Sequence, residues 1–224
     1  MINQYYGEDY DLYVKEKVTI EHGLTVLVGC NGCGKTTFLH QVRDQLKKSD
    51  VPVLYFDNLC DGGNRAMQSA AYWGDFAFAA TAMSSSEGEN IVLNMSKLAS
   101  KIGQFVRIGE HLTRHEKMLK AITGTDDEAK KPSNERWILL DAIDSGLSVD
   151  NVVEIKEYLF KTILKDAKNY DIYILVAANA YEMCRDEQCF DVHSGRYIQF
   201  ENYEEYRNFV LDSKKIKESR YGEK

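Results

Sequence analysis

Thr25-Val26-Leu27-Val28-Gly29-Cys30-Asn31-Gly32-Cys33-Gly34-Lys35-Thr36-Thr37-Phe38-Leu39 is the stretch whose reading decides the fold. The almost wholly apolar opening, Thr25–Val28, reads as a strand covered on both faces. Gly29–Thr36 then fits the pattern G-x-x-x-x-G-K-[S/T]. From Thr36 to Lys48 the pattern is helical, with Phe38, Leu39, Val42 and Leu46 on one stripe and Arg43, Asp44, Lys47 and Lys48 opposite. A triphosphate needs several converging backbone N–H donors, and the glycines allow the chain to wrap closely around it. The positive end of the following helix favours the same anion. The expected nucleotide contacts are therefore Asn31, Gly32, Cys33, Gly34, Lys35, Thr36 and Thr37. Lys35 is expected on the β- and γ-phosphates and the Thr36 hydroxyl on Mg²⁺.

Working outward, Lys17–Ile20 and Leu24–Val28 read as strands with His22-Gly23 turning between them. Val51–Phe56, Trp137–Leu140 and Ile172–Val176 are further strands, and Tyr197–Phe200 is a candidate edge strand. Helices are expected over Asn90–Arg107, Glu110–Ile122, Asn151–Asn169 and Tyr203–Lys217, with a buried helix or pair within Ala66–Ala82. Ser84–Glu89 breaks the helical pattern, and Gly124–Asn134 reads as a polar loop. Alternating strands and helices predict an α/β fold with a mostly parallel sheet flanked by helices. The chain reads as one domain, 1–224, carrying a small helical subdomain over about 64–134. Ile138-Leu139-Leu140-Asp141 ends a buried strand in a carboxylate, at the sheet edge where ligands bind in such folds. Asp141 is thus a candidate Mg²⁺ ligand, directly or through water.

Composition narrows the classes. With 224 residues, 44% hydrophobic and 28% charged, the chain can bury a core without disulfides or a structural metal. A net charge of −7 argues against a globally basic nucleic-acid binder. The one dense basic run, Lys214–Arg220, reads first as a solvated, frayed helix end and second as a phosphate-contacting tail. Met1–Tyr5 offers no basic flank before an apolar core, and no apolar run would span a bilayer, so a cytoplasmic protein without a membrane partner is expected. The five cysteines form no disulfide framework. Cys30 and Cys33 make a CxxC, but it lies inside the glycine loop and lacks two further ligands for zinc.

Gly29–Thr37 has the Asn-Gly-x-Gly-Lys-[Ser/Thr]-Thr form and resembles the phosphate loop of ABC-type P-loop ATPases. Asp141-Ala142-Ile143-Asp144-Ser145-Gly146-Leu147-Ser148 is similar to the segment joining their Walker B strand to the D-loop. Ser85-Ser86-Glu87-Gly88-Glu89 resembles a degenerate signature motif opening a helix, and His22–Gly29 looks most like the RecF and SMC branch. The resemblance implies ATP and Mg²⁺ as ligands and a homodimer formed on ATP binding. Each nucleotide would lie between one subunit's phosphate loop and the partner's signature, where Ser86 and Gly88 would meet the γ-phosphate. It also implies a possible DNA or protein partner. Gln68 is the candidate for the family's Mg²⁺-contacting glutamine, and Tyr5, Tyr6, Tyr10 or Tyr13 for stacking on adenine.

Three positions depart from the family. Ala142 stands where a glutamate normally activates water, Asn179 falls near the switch histidine, and Ser148 replaces the D-loop aspartate. Alanine can neither orient nor deprotonate water. Asn179 can hydrogen-bond a phosphate but cannot change its charge near neutral pH. The joint departure favours natural divergence over a single engineered Glu→Ala change. Asp144 is a candidate to orient water in place of Ala142, and Glu87 or Glu89 could act from the partner subunit. Tight ATP binding with slow or absent hydrolysis is the expectation. A non-catalytic interaction module is the first alternative and a small-molecule kinase the second, although Arg107, Arg114, Arg136, Arg185 and Arg196 are too scattered for an arginine-rich lid.

Overall fold

The computed structural model describes residues 2–3, 13–15, 17–58, 87–109, 133–166 and 169–221. Ile2–Asn3 (β1) pairs antiparallel with Lys17–Val18 (β2) in a small sheet of its own. The main sheet has six strands: β3 (Gly23–Val28), β4 (Val53–Asp57), β5 (Glu135–Asp141), β6 (Asp171–Ala177), β7 (Gln188–Asp191) and β8 (Arg196–Ile198). Their spatial order is β4-β5-β6-β3-β7-β8, parallel throughout except for β8. The helices are α1 (Lys35–Lys48), α2 (Glu87–Ile108), α3 (Val149–Glu154), α4 (Lys161–Asp166), α5 (Tyr181–Cys184) and α6 (Tyr203–Tyr221). A π-helical stretch, Ile155–Phe160, joins α3 to α4.

This is the α/β, mostly parallel architecture that the strand–helix alternation predicts. Both faces of the central strands are covered, so the strands are apolar at nearly every position. Leu24, Val26, Val28, Ile138, Leu140, Ile174 and Val176 point into one core with α2, the α3 region and α6. Leu27, Trp137, Leu139, Leu175 and Ala177 point into the other, against Phe38, Leu39, Val42 and Leu46 of α1. The stripe read from the α1 sequence is therefore its buried face.

Several boundaries differ from the expectation. Lys17–Ile20 and Leu24–Val28 do not form a hairpin: β2 pairs with β1, and β3 takes β6 and β7 as neighbours. The His22 side chain accepts the Ile172 N–H at 3.0 Å, so it belongs to the start of β6 as much as to the turn. α2 begins at Glu87, inside the segment read as a break. β7 was hidden from pattern reading because it is only 4 residues long and offers no extended alternation. The segments expected as helices at Glu110–Ile122 and within Ala66–Ala82, and most of the range 64–134 expected as a subdomain, lie outside the described residues; within that range the structure describes chiefly α2.

Arg136 shows how tertiary placement overrides composition. It is 2% exposed, and its guanidinium donates to the carbonyls of Val106, Ser133 and Glu135 while lying 4.4 Å from the Tyr170 ring centre. It thereby holds the C-terminal end of α2, where carbonyls lack intrahelical partners and favour a cation. Gly109 follows with φ 71°, and a Cβ there would stand 2.9 Å from that guanidinium. This arginine is structural, which weakens the kinase alternative further.

The C-terminal run corrects the first reading of the tail. Lys214 and Lys215 are solvated and pair with Glu218 and Asp212 of their own helix. The helix as a whole, however, continues to Tyr221 and lies against the glycine loop rather than fraying from it. Among the described residues no helix is long and apolar enough to cross a membrane.

Candidate functional site

The glycine loop sits at the carboxyl end of β3, where the chain direction divides. From β3 the chain crosses to β4 on one side of the sheet, whereas from β6 it crosses to β7 on the other. Such a switch point opens a crevice above the strand ends. Gly29, Gly32 and Gly34 have φ of 136°, 77° and 109°. A Cβ on Gly29 would stand 2.5 Å from the Cys33 sulfur, so glycine is required there on both counts.

α1 starts directly from Gly34, without a side-chain cap and without an acidic residue in its first turn. Helices commonly satisfy their first amides with Ser, Thr, Asp or Asn at the N-cap. Here Asn31 and Gly32 of the loop and Thr36 in the first turn of α1 are exposed. An uncapped, acid-free helix start is suited to an anion.

The loop carbonyls are gathered by ammonium groups. Lys35 Nζ donates to the carbonyls of Gly29 at 2.7 Å and Cys30 at 3.3 Å. Lys217 Nζ, from α6, donates to the carbonyl of Asn31 at 2.9 Å. Ser213 Oγ accepts the Cys30 N–H at 3.1 Å, and the Tyr13 hydroxyl donates to the carbonyl of Gly34 at 3.1 Å. Tyr13 also packs edge-on to Phe38, so it buttresses the loop. Cys30 and Cys33 are buried, and burial pushes the Cys33 thiol above its ordinary range.

Asp141 ends β5 at 6% exposure. Sheet register sets it level with Ala177 of β6, which is level with Leu27 of β3. Two strand spacings, roughly 10 Å, thus separate the Asp141 backbone from the strand that feeds the loop. Asp57 lies opposite Asp141 on β4, a second carboxylate at the same edge. The Tyr55 hydroxyl lies 3.5 Å from Asp141 Oδ2 and 2.9 Å from His40 Nε2 of α1. Burial, then the Asp141 and Asp57 charges, raise the Tyr55 pKa, keeping the phenol protonated. Among the described residues this long contact is the one hydrogen bond to the Asp141 carboxylate. A mostly buried carboxylate so thinly solvated fits a cation ligand, and the hydroxyl and carboxylate oxygens of Thr36 and Asp141 are the donor type Mg²⁺ takes.

The turn after Asp141 is built differently. Ala142 adopts φ 50°, a region that penalises any residue with a Cβ. Its carbonyl accepts the Ser145 N–H at 2.9 Å, and the Asn58 amide donates to the carbonyls of Ala142 and Ser145. Asp144 Oδ2 accepts the backbone N–H groups of Asn179 and Ala180, each at 2.6 Å. The two candidates Asp144 and Asn179 are therefore brought together, but through a carboxylate–backbone clamp. Asp144 Oδ1 is buried without a partner among the described residues. The Asn179 residue is exposed, and its carbonyl accepts the Tyr206 hydroxyl at 2.5 Å.

Gly88 falls in the first turn of α2. Ser86, Gln68, Tyr5, Tyr6 and Tyr10 lie outside the described residues. Sequence reasoning missed Tyr55, Asn58, Tyr206 and Ser213; none belongs to a local motif, and each meets the site only through long-range folding. Lys217 carried a weak signal as part of the basic tail. Among known proteins, no family model matches the chain and no curated protein matches its sequence.

Proposed function

We propose that the chain binds a nucleoside triphosphate, ATP by resemblance, with Mg²⁺ at Gly29–Thr36 and acts as a nucleotide-gated switch of the ABC type, similar to the RecF and SMC branch. The observation that carries this reading is the left-handed glycine loop running into an uncapped, acid-free α1, with the Asp141 carboxylate level with the same sheet edge. In this reading the backbone of Asn31–Gly34 and the start of α1 bind the phosphates. Lys35 exchanges its loop carbonyls for phosphate oxygens, and Thr36 and Asp141 hold Mg²⁺, which supplies charge neutralisation for the phosphates.

Hydrolysis is slow or absent in this reading. Ala142 has no proton acceptor, and Asp144 Oδ2 is occupied by two amides. Loss of a general base costs about 10²–10⁴-fold. ATP therefore persists long enough to cement a homodimer or a complex with a DNA or protein partner. The clamp geometry at Asp144 also favours the non-catalytic module as a second reading, because it converts the water-activating corner into a structural one.

Light scattering coupled to size exclusion, with and without ATP and Mg²⁺, tests the switch. A dimer that appears only with nucleotide is expected. A monomer under every condition overturns homodimerisation and leaves the module. Turnover near the usual enzyme value of about 10 s⁻¹ at saturating ATP overturns the slow-chemistry reading.

A further inference from the structure

We propose that Lys217 of α6 is a second phosphate-binding cation, delivered to the loop in cis by the C-terminal helix. The inference rests on the nucleotide reading of Gly29–Thr36 and adds a residue that no local motif contains. Three observations carry it. First, three successive loop carbonyls, Gly29, Cys30 and Asn31, are each taken by an ammonium: the first two by Lys35 and the third by Lys217 at 2.9 Å. Lys217 thus stands to Asn31 as the loop's own lysine stands to Gly29 and Cys30. Second, it sits against the loop crest, since a Cβ on Gly32 would lie 3.0 Å from Lys217 Nζ. Third, the helix is fixed there from both ends of the site. Tyr206 is bonded to the carbonyl of Asn179, and Ser213 receives the Cys30 N–H.

The neighbouring lysines of α6 behave differently. Lys214 and Lys215 pair with carboxylates of their own helix, whereas Lys217 crosses to a segment 186 residues away. An ammonium has three donors and a flexible stem, so one bond to a carbonyl leaves donors for phosphate oxygens. Lys217 is half-buried, and it lies against Gly32, which is exposed, on the face of the loop where the phosphate chain would enter. A cation beside the phosphate chain favours the more highly charged nucleotide, so Lys217 selects triphosphate over diphosphate.

The test is titration of the full chain with fluorescent ATP and ADP analogues in the presence of Mg²⁺, comparing wild type with Lys217→Ala, Lys217→Arg and Lys35→Ala. Lys217→Ala is expected to weaken ATP analogue binding by roughly fivefold to tenfold, ADP analogue binding by less, and the gap is expected to shrink in high salt. Lys217→Arg is expected to restore most of the difference. Circular dichroism melting checks that each variant remains folded. Equal ATP and ADP losses, or no loss, overturn the proposal. Tighter binding by Lys217→Ala also overturns it, because the helix would then be a lid that competes with nucleotide. Failure of the wild type to bind either analogue would overturn the nucleotide reading itself, a result separable from the others.

Discussion

Two corners of the same sheet edge follow opposite designs. At the end of β3 the left-handed positions are occupied by Gly29, Gly32 and Gly34, and the helix that follows has no cap of its own. At the end of β5 the left-handed position is held by Ala142, and the turn that follows is tied within the protein: Asn58 to Ala142 and Ser145, Asp144 Oδ2 to Asn179 and Ala180. The first corner leaves the start of its helix uncapped, as an external anion would require. The second closes its hydrogen bonds internally and accepts backbone strain to do so. Under the proposed reading, the contrast teaches that binding and hydrolysis need not be built together: the half that would hold phosphate starts an uncapped helix, and the half that would activate water is locked into the fold.

The largest expected effect breaks the first corner. Lys35→Ala removes the cation meant for the phosphates, and charged hydrogen bonds of about 1.5–3 kcal/mol each predict a loss of nucleotide affinity of about 100-fold. Titration calorimetry with a slowly hydrolysed ATP analogue measures it; a change below about threefold would place the binding elsewhere. The second sharpens the chemistry. Ala142→Glu restores a carboxylate to the position after Asp141 and is expected to raise turnover by at least about tenfold, part of the 10²–10⁴-fold attributed to a general base. A phosphate-release assay decides it, and unchanged turnover would mean that the locked turn, not the missing side chain, limits the reaction.

The third breaks the second corner. Asp144→Ala strips the acceptor from two amides and is expected to cost about 2 kcal/mol in urea unfolding, with nucleotide affinity little changed. Should affinity fall as sharply as stability, the two corners are not independent. Smaller still, Tyr206→Phe removes the hydroxyl bonded to Asn179 and is expected to cost about 1 kcal/mol. The smallest effect concerns strain: Ala142→Gly relieves the left-handed Cβ, offset by the greater freedom of glycine in the unfolded chain, for a net gain of at most about 0.5 kcal/mol. A clear destabilisation would show that Ala142 makes packing contacts that outweigh its φ.

The same contrast explains what pattern reading reached. The loop, α1 and the buried β3, β5 and β6 strands were legible because their signals are local: a glycine spacing, a stripe at helical period and continuous apolar runs. Asp141 was legible as the last residue of such a run. β7 was not, being only 4 residues long. Nor was the split of Lys17–Ile20 from β3, because strand partners are chosen by the sheet rather than by the turn between two segments. Asp144 and Asn179 were each legible as residues of interest, yet the bond from the Asn179 N–H to Asp144 joins positions 35 residues apart and was not.

The sequence by itself determined that an α/β sheet carries a phosphate-type loop at one strand end and a carboxylate at another. Those features depend on backbone dihedrals and on periodic burial, which a few neighbouring residues specify. Only the tertiary structure decided that the carboxylate lies level with the loop strand two strands away, that Arg136 is a buried helix brace, and that Lys217 rests on the glycine loop. Hydrogen bonds between distant segments depend on which strands pair and where a helix comes to lie. That ordering is set by the packing of the whole sheet, and no short stretch of residues contains it.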